Sequence, residues 1–137
     1  MKVELDLKDK LEFVAVGESG HEVVLDASKE SGGNDNGPRP MELILHGLAG
    51  CTGIDIALIL KKMKSEIDNF KIEVNADRAK EHPKRYTNIY LKFIIKGKNL
   101  SKKKVEKAID LSQNKYCSAS SSLNANIRSS YEFENVE

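Results

Sequence analysis

Pro40-Met41-Glu42-Leu43-Ile44-Leu45-His46-Gly47-Leu48-Ala49-Gly50-Cys51-Thr52-Gly53-Ile54-Asp55-Ile56-Ala57-Leu58-Ile59-Leu60 contains the one long apolar run of the chain, and its reading decides the fold. Pro40 suits the first turn of a helix, where its missing N–H costs nothing. From Met41 to Leu60 a helix would be about 30 Å long, which raises the question of a membrane. Glu42, His46 and Asp55 interrupt the run and Lys61-Lys62-Met63-Lys64 follows it, so a core helix from about Met41 to Ser65 is the better reading. Its apolar residues fall nearly all round, and such a helix has to be enclosed on every side. One thin sheet in a small domain does not do that. A second copy of the chain is therefore expected to cover part of it, with Gly47 and Gly50 letting another backbone come close.

On the N-terminal side lie three segments of strand character. Val3, Leu5 and Leu7 alternate with charged residues; Leu11–Val16 and His21–Leu25 are rich in Val, Leu and Phe, with turn-forming Gly17-Glu18-Ser19-Gly20 between them. A flexible loop, Ser31 to Gly37, leads to Pro38-Arg39-Pro40. On the C-terminal side, Phe70, Ile72, Val74 and Ala76 alternate with polar residues, as do Ile89, Leu91, Phe93 and Ile95 within a strand from Thr87 to Ile95. The Arg78–Arg85 loop joins these two as a hairpin. Asn99-Leu100-Ser101 caps an amphipathic helix with Val105, Ala108, Ile109 and Ser112 inward. A short helix is predicted from Cys117 to Asn126, then a strand with Ile127, Tyr131 and Phe133 alternating. Strands, helix, strands, helices and strand in that order read as α+β in a single domain, residues 1–137.

With 137 residues the chain can bury roughly two-thirds of its unfolded surface. A formal net charge of +1, with lysines dispersed in short clusters, offers no stripe for nucleic acid or an anionic membrane. Met1 to Asp6 alternates charged and apolar residues and is no signal peptide, so a cytoplasmic location is expected. Thiols stay reduced there, and any disulfide is more readily transient than structural. Two Cys and three scattered His give no closed zinc site of the usual ligand spacing; neither a metal nor a cofactor is expected.

The thiols hold the chemical interest. Cys51 sits in the apolar run, where a free cysteine commonly fills space and burial makes it inert unless another element supplies a cation. Cys117 precedes Ser118-Ala119-Ser120-Ser121-Ser122; if it opens a helix, unpaired N–H groups there favour its thiolate. Asp55, four residues after Cys51, is within reach of it across one turn, but reads first as a satisfied polar group near the helix surface. His46 reads as a packed or partly exposed histidine, and the serine run has no His–Asp partners for hydrolase chemistry. Inert core thiols and a reactive pair both remain open on these grounds.

Pro40-Met41-Glu42-Leu43 followed by Ala49-Gly50-Cys51-Thr52 resembles the first cysteine motif of the OsmC/Ohr family, and Tyr116-Cys117-Ser118 its second. Gly50 to Asp55, with Glu106 to Ser112 and Asn114 to Ser118, is most similar to the YhfA-like branch. The resemblance spans nearly the whole chain. It implies an OsmC-like α+β fold: a long buried central helix against antiparallel sheets, in an interlocked homodimer with thiol sites at the interface. The implied activity is thiol-dependent reduction of organic hydroperoxides in oxidative stress defence. Cys51 would be peroxidatic and Cys117 resolving, restored by a dithiol reductant, with no nucleic-acid or membrane partner. Two residues depart from the pattern. Peroxidase members carry a glutamate where this chain has Met41, with Glu42 its neighbour about 100° round the helix. Their arginine comes from an early strand, whereas no arginine precedes Arg39, twelve residues before Cys51 and about 18 Å away along a helix. Glu42, Arg39 and Asp55 are the supporting candidates. The alternative implied by these departures is a non-peroxidatic relative binding a small hydrophobic or thiol ligand at the dimer cleft.

Overall fold

The computed structural model describes all of residues 1–137. Its contacts divide the chain into two compact units, Met1–His46 and Gly47–Glu137, with the boundary inside the long helix. In the first unit, β1 (Val3–Asp9), β2 (Glu12–Gly17) and β3 (Glu22–Leu25) form an antiparallel meander. The expected hairpin is β2–β3, turned at Gly20, whose φ of +82° suits glycine. Alternation along β1 leaves Val3, Leu5 and Leu7 exposed.

The loop after β3 is organised by one carboxylate. Asp26, only 3% exposed, accepts hydrogen bonds from the backbone N–H groups of Ala27, Asn34 and Asn36. Gly33 fits there because a Cβ would lie 2.2 Å from the Ala27 carbonyl oxygen. Burial is the largest influence on Asp26 and opposes its charge. The hydrogen bonds from Asn36, Ala27 and Asn34, with the positive charge of Arg39, outweigh it and hold the carboxyl below the usual range.

α1 (Pro40–Lys62) follows. In the second unit β4 (Glu66–Arg78) and β5 (Tyr86–Lys98) pair antiparallel, α2 (Lys102–Leu111) follows, and after a π-helical turn at Ser112–Tyr116 come α3 (Ser118–Ser121) and β6 (Asn126–Asn135). β5 is central, and its alternation buries Ile89, Leu91, Phe93 and Ile95 on one face. Leu48, Ile56 and Leu60 of α1 and Val105, Ala108 and Ile109 of α2 complete this core. Each large side chain so enclosed contributes about 1.5–3 kcal/mol over its exposed state. Gly97 admits β4 closely, since a Cβ would lie 1.9 Å from the Glu66 carbonyl oxygen. Asn99 and Ser65 tie the end of α1 to the start of α2: Asn99 Nδ2 donates to the Lys64 carbonyl and Ser65 Oγ to that of Asn99, at 2.9 and 2.7 Å.

Two expectations need correcting. β6 runs parallel to β5, so the second sheet is mixed rather than antiparallel; the chain between them crosses over as α2 and α3 instead of turning back as a hairpin. α3 is one turn long and does not reach Asn126, because the chain there is already pairing with Asn88. By itself the chain does not enclose α1, as expected of one thin sheet. The helix buries Leu48, Thr52, Gly53, Ile56 and Leu60, while Ile44, Ile54 and Leu58 are 39%, 65% and 54% exposed. By length and composition α1 would also suffice to cross a membrane; here its buried stripe packs into the core of the second unit, with Ile72 of β4 against Gly53.

The depressed Asp26 carboxyl stabilises the fold fully above its unfolded value, near 3.9, and that contribution is lost as pH falls through the lower folded value. Asp26→Asn is expected to lower the thermal midpoint at pH 7 and to narrow the difference from wild type as pH drops below 4. Equal destabilisation at every pH would show that the charge of Asp26 contributes nothing.

Candidate active site

Cys51, Thr52 and Asp55 belong to the middle of α1, and Cys117 ends the crossover that leaves α2. The Sγ atoms of Cys51 and Cys117 and a carboxylate oxygen of Asp55 all lie within 4.8 Å of one another. Helical periodicity puts Cys51 and Asp55 on one face, four residues apart. Cys117 reaches them because its backbone N–H donates to the Ser112 carbonyl at 2.8 Å, closing the π-helical turn, before it starts α3 as N-cap. Both thiols are free; Cys51 is half-buried and Cys117 only 2% exposed.

The hydrogen bonds around the two sulfurs are unequal. Thr52 Oγ1 lies 3.4 Å from Cys117 Sγ, and the Ser120 backbone N–H donates to the same sulfur at 3.4 Å. Burial is the largest influence on Cys117 and opposes ionisation. The hydroxyls of Ser120 and Thr52, the Ser120 N–H and the Cys51 thiol outweigh it, and Cys117 falls below the ordinary thiol range. On Cys51 the largest influence is the Ala119 backbone N–H, which lowers it. Burial, the hydrogen bond it gives to Cys117 and the negative charges of Cys117 and Asp55 prevail, and Cys51 lies above that range. Cys117 is therefore the more acidic thiol and Cys51 the donor between them.

Asp55 is satisfied from another element: Ser112 Oγ donates to its Oδ2 at 3.1 Å. Gln113 Nε2 donates to Thr52 Oγ1 at 3.4 Å. Beside Asp55 a cleft of about 250 Å³ is lined by Leu58, Ile59, Lys62, Leu111 and Tyr116. The other two candidates sit at the start of α1. Glu42 Oε1 accepts from the Arg39 backbone N–H, and the Arg39 guanidinium donates to Asp35 at 2.7 Å and to the Gly37 carbonyl at 3.0 Å. Both fasten the entrance to the helix.

Reasoning from the residues alone missed Thr52, Ser112 and Ser120 as components of the site. Thr52 did carry a signal: a hydroxyl inside an apolar helix needs a partner when buried.

These features define a paired-thiol α+β protein. The family model described as OsmC-like protein matches residues 32–132, and the chain belongs to that family. It is similar to Protein YhfA of Escherichia coli K12, 34% identical over 134 residues that cover 96% of this chain and 97% of the relative. A crystal structure of an Aquifex aeolicus protein superposes with a TM-score of 0.86 at 32% identity, covering 99% of this chain and 97% of the other. OhrB of Bacillus subtilis, an organic hydroperoxide resistance protein, shares the fold with a TM-score of 0.59 at 17% identity, covering 98% of each chain.

Ultraviolet titration of the thiolate tests the ranking of the two sulfurs. In Cys51→Ser, which keeps the Ser120 and Thr52 donors, the thiolate signal should persist below the ordinary thiol value; in Cys117→Ser, which removes the neighbouring anionic group, Cys51 should titrate lower than it does in the wild type. Thr52→Val should move the Cys117 titration upward. A Cys51→Ser titration at or above the ordinary thiol value would contradict the ranking.

Proposed function

We propose that this protein is a two-cysteine thiol peroxidase that reduces organic hydroperoxides in the cytoplasm, with Cys51 peroxidatic and Cys117 resolving. The observation that carries the reading is the meeting of the two sulfurs, one in α1 and one at the far end of the crossover, in a single cluster. Membership of the OsmC-like family supports it.

This division of labour is the one that the OsmC-like family resemblance implies, and the access of Cys51 supports it. Cys51 is the more accessible sulfur, while Cys117 is the more acidic. A Cys117 thiolate accepts the proton of Cys51 as Cys51 attacks the terminal peroxide oxygen. The O–O bond breaks, Cys51 becomes a sulfenic acid, and the departing alkoxide takes the proton back from Cys117 and leaves as an alcohol. The regenerated Cys117 thiolate then attacks the sulfenic sulfur, forming the disulfide and releasing hydroxide, which is protonated to water. A dithiol reductant returns both thiols by exchange. The cleft beside Asp55, with Leu58, Ile59, Leu111 and Tyr116, accommodates the organic part of the substrate.

The functional unit in this reading is a homodimer of the single OsmC-like domain, residues 1–137. Ile54 and Leu58 on α1 and Val3, Leu5 and Leu7 on β1 are exposed apolar residues of the kind an obligate interface covers. A Cβ at Gly47 or Gly50 would meet nothing within 4 Å, which leaves those positions open to another backbone.

Two experiments bear on this. Reduced protein treated with an organic hydroperoxide should yield an intrachain Cys51–Cys117 disulfide by mass spectrometry; Cys117→Ser should trap a sulfenic acid on Cys51, and Cys51→Ser should lose at least about 100-fold in peroxide consumption. Sulfenic acid on neither residue would end the peroxidase reading. Sedimentation equilibrium should give twice the chain mass at micromolar concentration, and Leu58→Glu should shift it toward the monomer; a wild-type monomer would exclude the dimer.

A further inference from the structure

The spacing of Cys and His along the chain offers no metal site, but the fold brings three potential ligands together. Cys51 and Asp55 come from one helix face and Cys117 from the α3 cap, and their ligand atoms lie within 4.8 Å of one another. Tetrahedral zinc with sulfur at about 2.3 Å and oxygen at about 2.0–2.2 Å needs donors roughly 3.6–3.8 Å apart. Side-chain rotation at three neighbouring residues closes that gap. Two thiolates and one carboxylate make a donor set that favours a borderline or soft cation such as zinc over magnesium or calcium.

The surroundings are those of held ligands. Ser112 Oγ donates to Asp55 Oδ2 at 3.1 Å, fixing the carboxylate in the way an outer-shell partner fixes a ligand. The Ser120 N–H donates to Cys117 Sγ, and the Ala119 N–H is directed at Cys51. Full ionisation of Cys51, Cys117 and Asp55, with ligand atoms within 4.8 Å of one another, sets like charges against each other. A divalent cation relieves that repulsion, whereas full ionisation without one leaves three negative charges together. Three protein ligands also leave a fourth position for water or a small ligand.

We propose that the reduced Cys51–Asp55–Cys117 cluster binds one zinc ion per chain, and that zinc and oxidation exclude one another at this site. Binding displaces the thiol protons and occupies both sulfurs. Oxidation of the pair to a disulfide, by loss of two electrons to a hydroperoxide that leaves as alcohol and water, removes both thiolate ligands, so the oxidised protein holds no zinc. The exclusion rests on the thiol-redox reading above; the binding does not.

Cobalt(II) is the probe, added anaerobically to the reduced full-length protein. A thiolate-to-cobalt charge-transfer band with tetrahedral d–d intensity should saturate at one equivalent and be displaced by zinc. Affinity should fall at least about 100-fold in Cys117→Ser and about 10- to 100-fold in Ser112→Ala, with circular dichroism reporting whether each variant is folded. Zinc-loaded wild type should resist oxidation by an organic hydroperoxide until a chelator is added, and oxidised protein should take up no zinc, leaving all of it to a chromophoric chelator. No charge-transfer band in the wild type overturns the site, and a band unchanged in folded Cys117→Ser overturns the ligand set. Disulfide formation without any cobalt band defeats this proposal and leaves the redox reading standing. A cobalt band in a protein whose metal-free thiols resist the peroxide defeats the redox reading and leaves the metal site standing.

Discussion

Thr52 Oγ1 and the Cys117 sulfur meet at 3.4 Å in a place closed to solvent, joining the middle of α1 to the first turn of α3. The rest of the site is arranged around that contact. Thr52 is buried, and its neighbours on the same turn of the helix, Cys51 and Asp55, face the same crossover. A hydroxyl in so apolar a helix would cost about 1–3 kcal/mol if left unpaired in the interior. Here its one proton has the Leu48 carbonyl or the Cys117 sulfur as acceptor, and Gln113 donates to its oxygen. The polar interior of the second unit is thus a connected set of groups: Gln113, Thr52 and Cys117 in one chain, Ser112 and Asp55 in another, with Cys51 between them.

That convergence depends on the topology of the second sheet. β5 and β6 are parallel, so the chain has to travel back along the sheet before β6 can pair. α2 makes the return, and the π-helical turn at Ser112–Tyr116 lets the chain leave α2 and present Cys117 as a cap. A hairpin in place of the crossover would carry no element to meet α1. Such π turns often occur where a helix has been adapted to a site. The same crossover explains why Ser112 belongs both to the core and to the site: it is fully buried and bonded to Asp55.

Much of this was legible in the residues. Period-two alternation in Phe70–Ala76 and Ile89–Ile95 located the two long strands and the buried face of the second, because a central strand covered on one side leaves that pattern. The Ser101 cap was equally plain, and its side chain does accept from the Lys104 N–H. The opening of a helix at Cys117 pointed to the more acidic thiol, although discrete donors do the work and the helix is a single turn. The direction of β6 was not legible, since alternation at Ile127, Tyr131 and Phe133 is the same whether the partner runs parallel or antiparallel. The partners of Asp55 and Thr52 were not legible either, as they lie more than fifty residues away in sequence and meet only after the sheet has formed. Nor did the apolar circumference of α1 say which of its sides the chain itself would cover.

The central claim is that Cys51 and Cys117 form one two-electron couple. Equilibrating the protein in dithiol–disulfide buffers of graded potential, then trapping the thiols with acid and an alkylating reagent, measures this without any peroxide. The account predicts a single transition in which both thiols disappear together into an intrachain bridge, with a slope set by two electrons. Independent loss of the two thiols, or mixed disulfides with the buffer and no internal bridge at any potential, would contradict it.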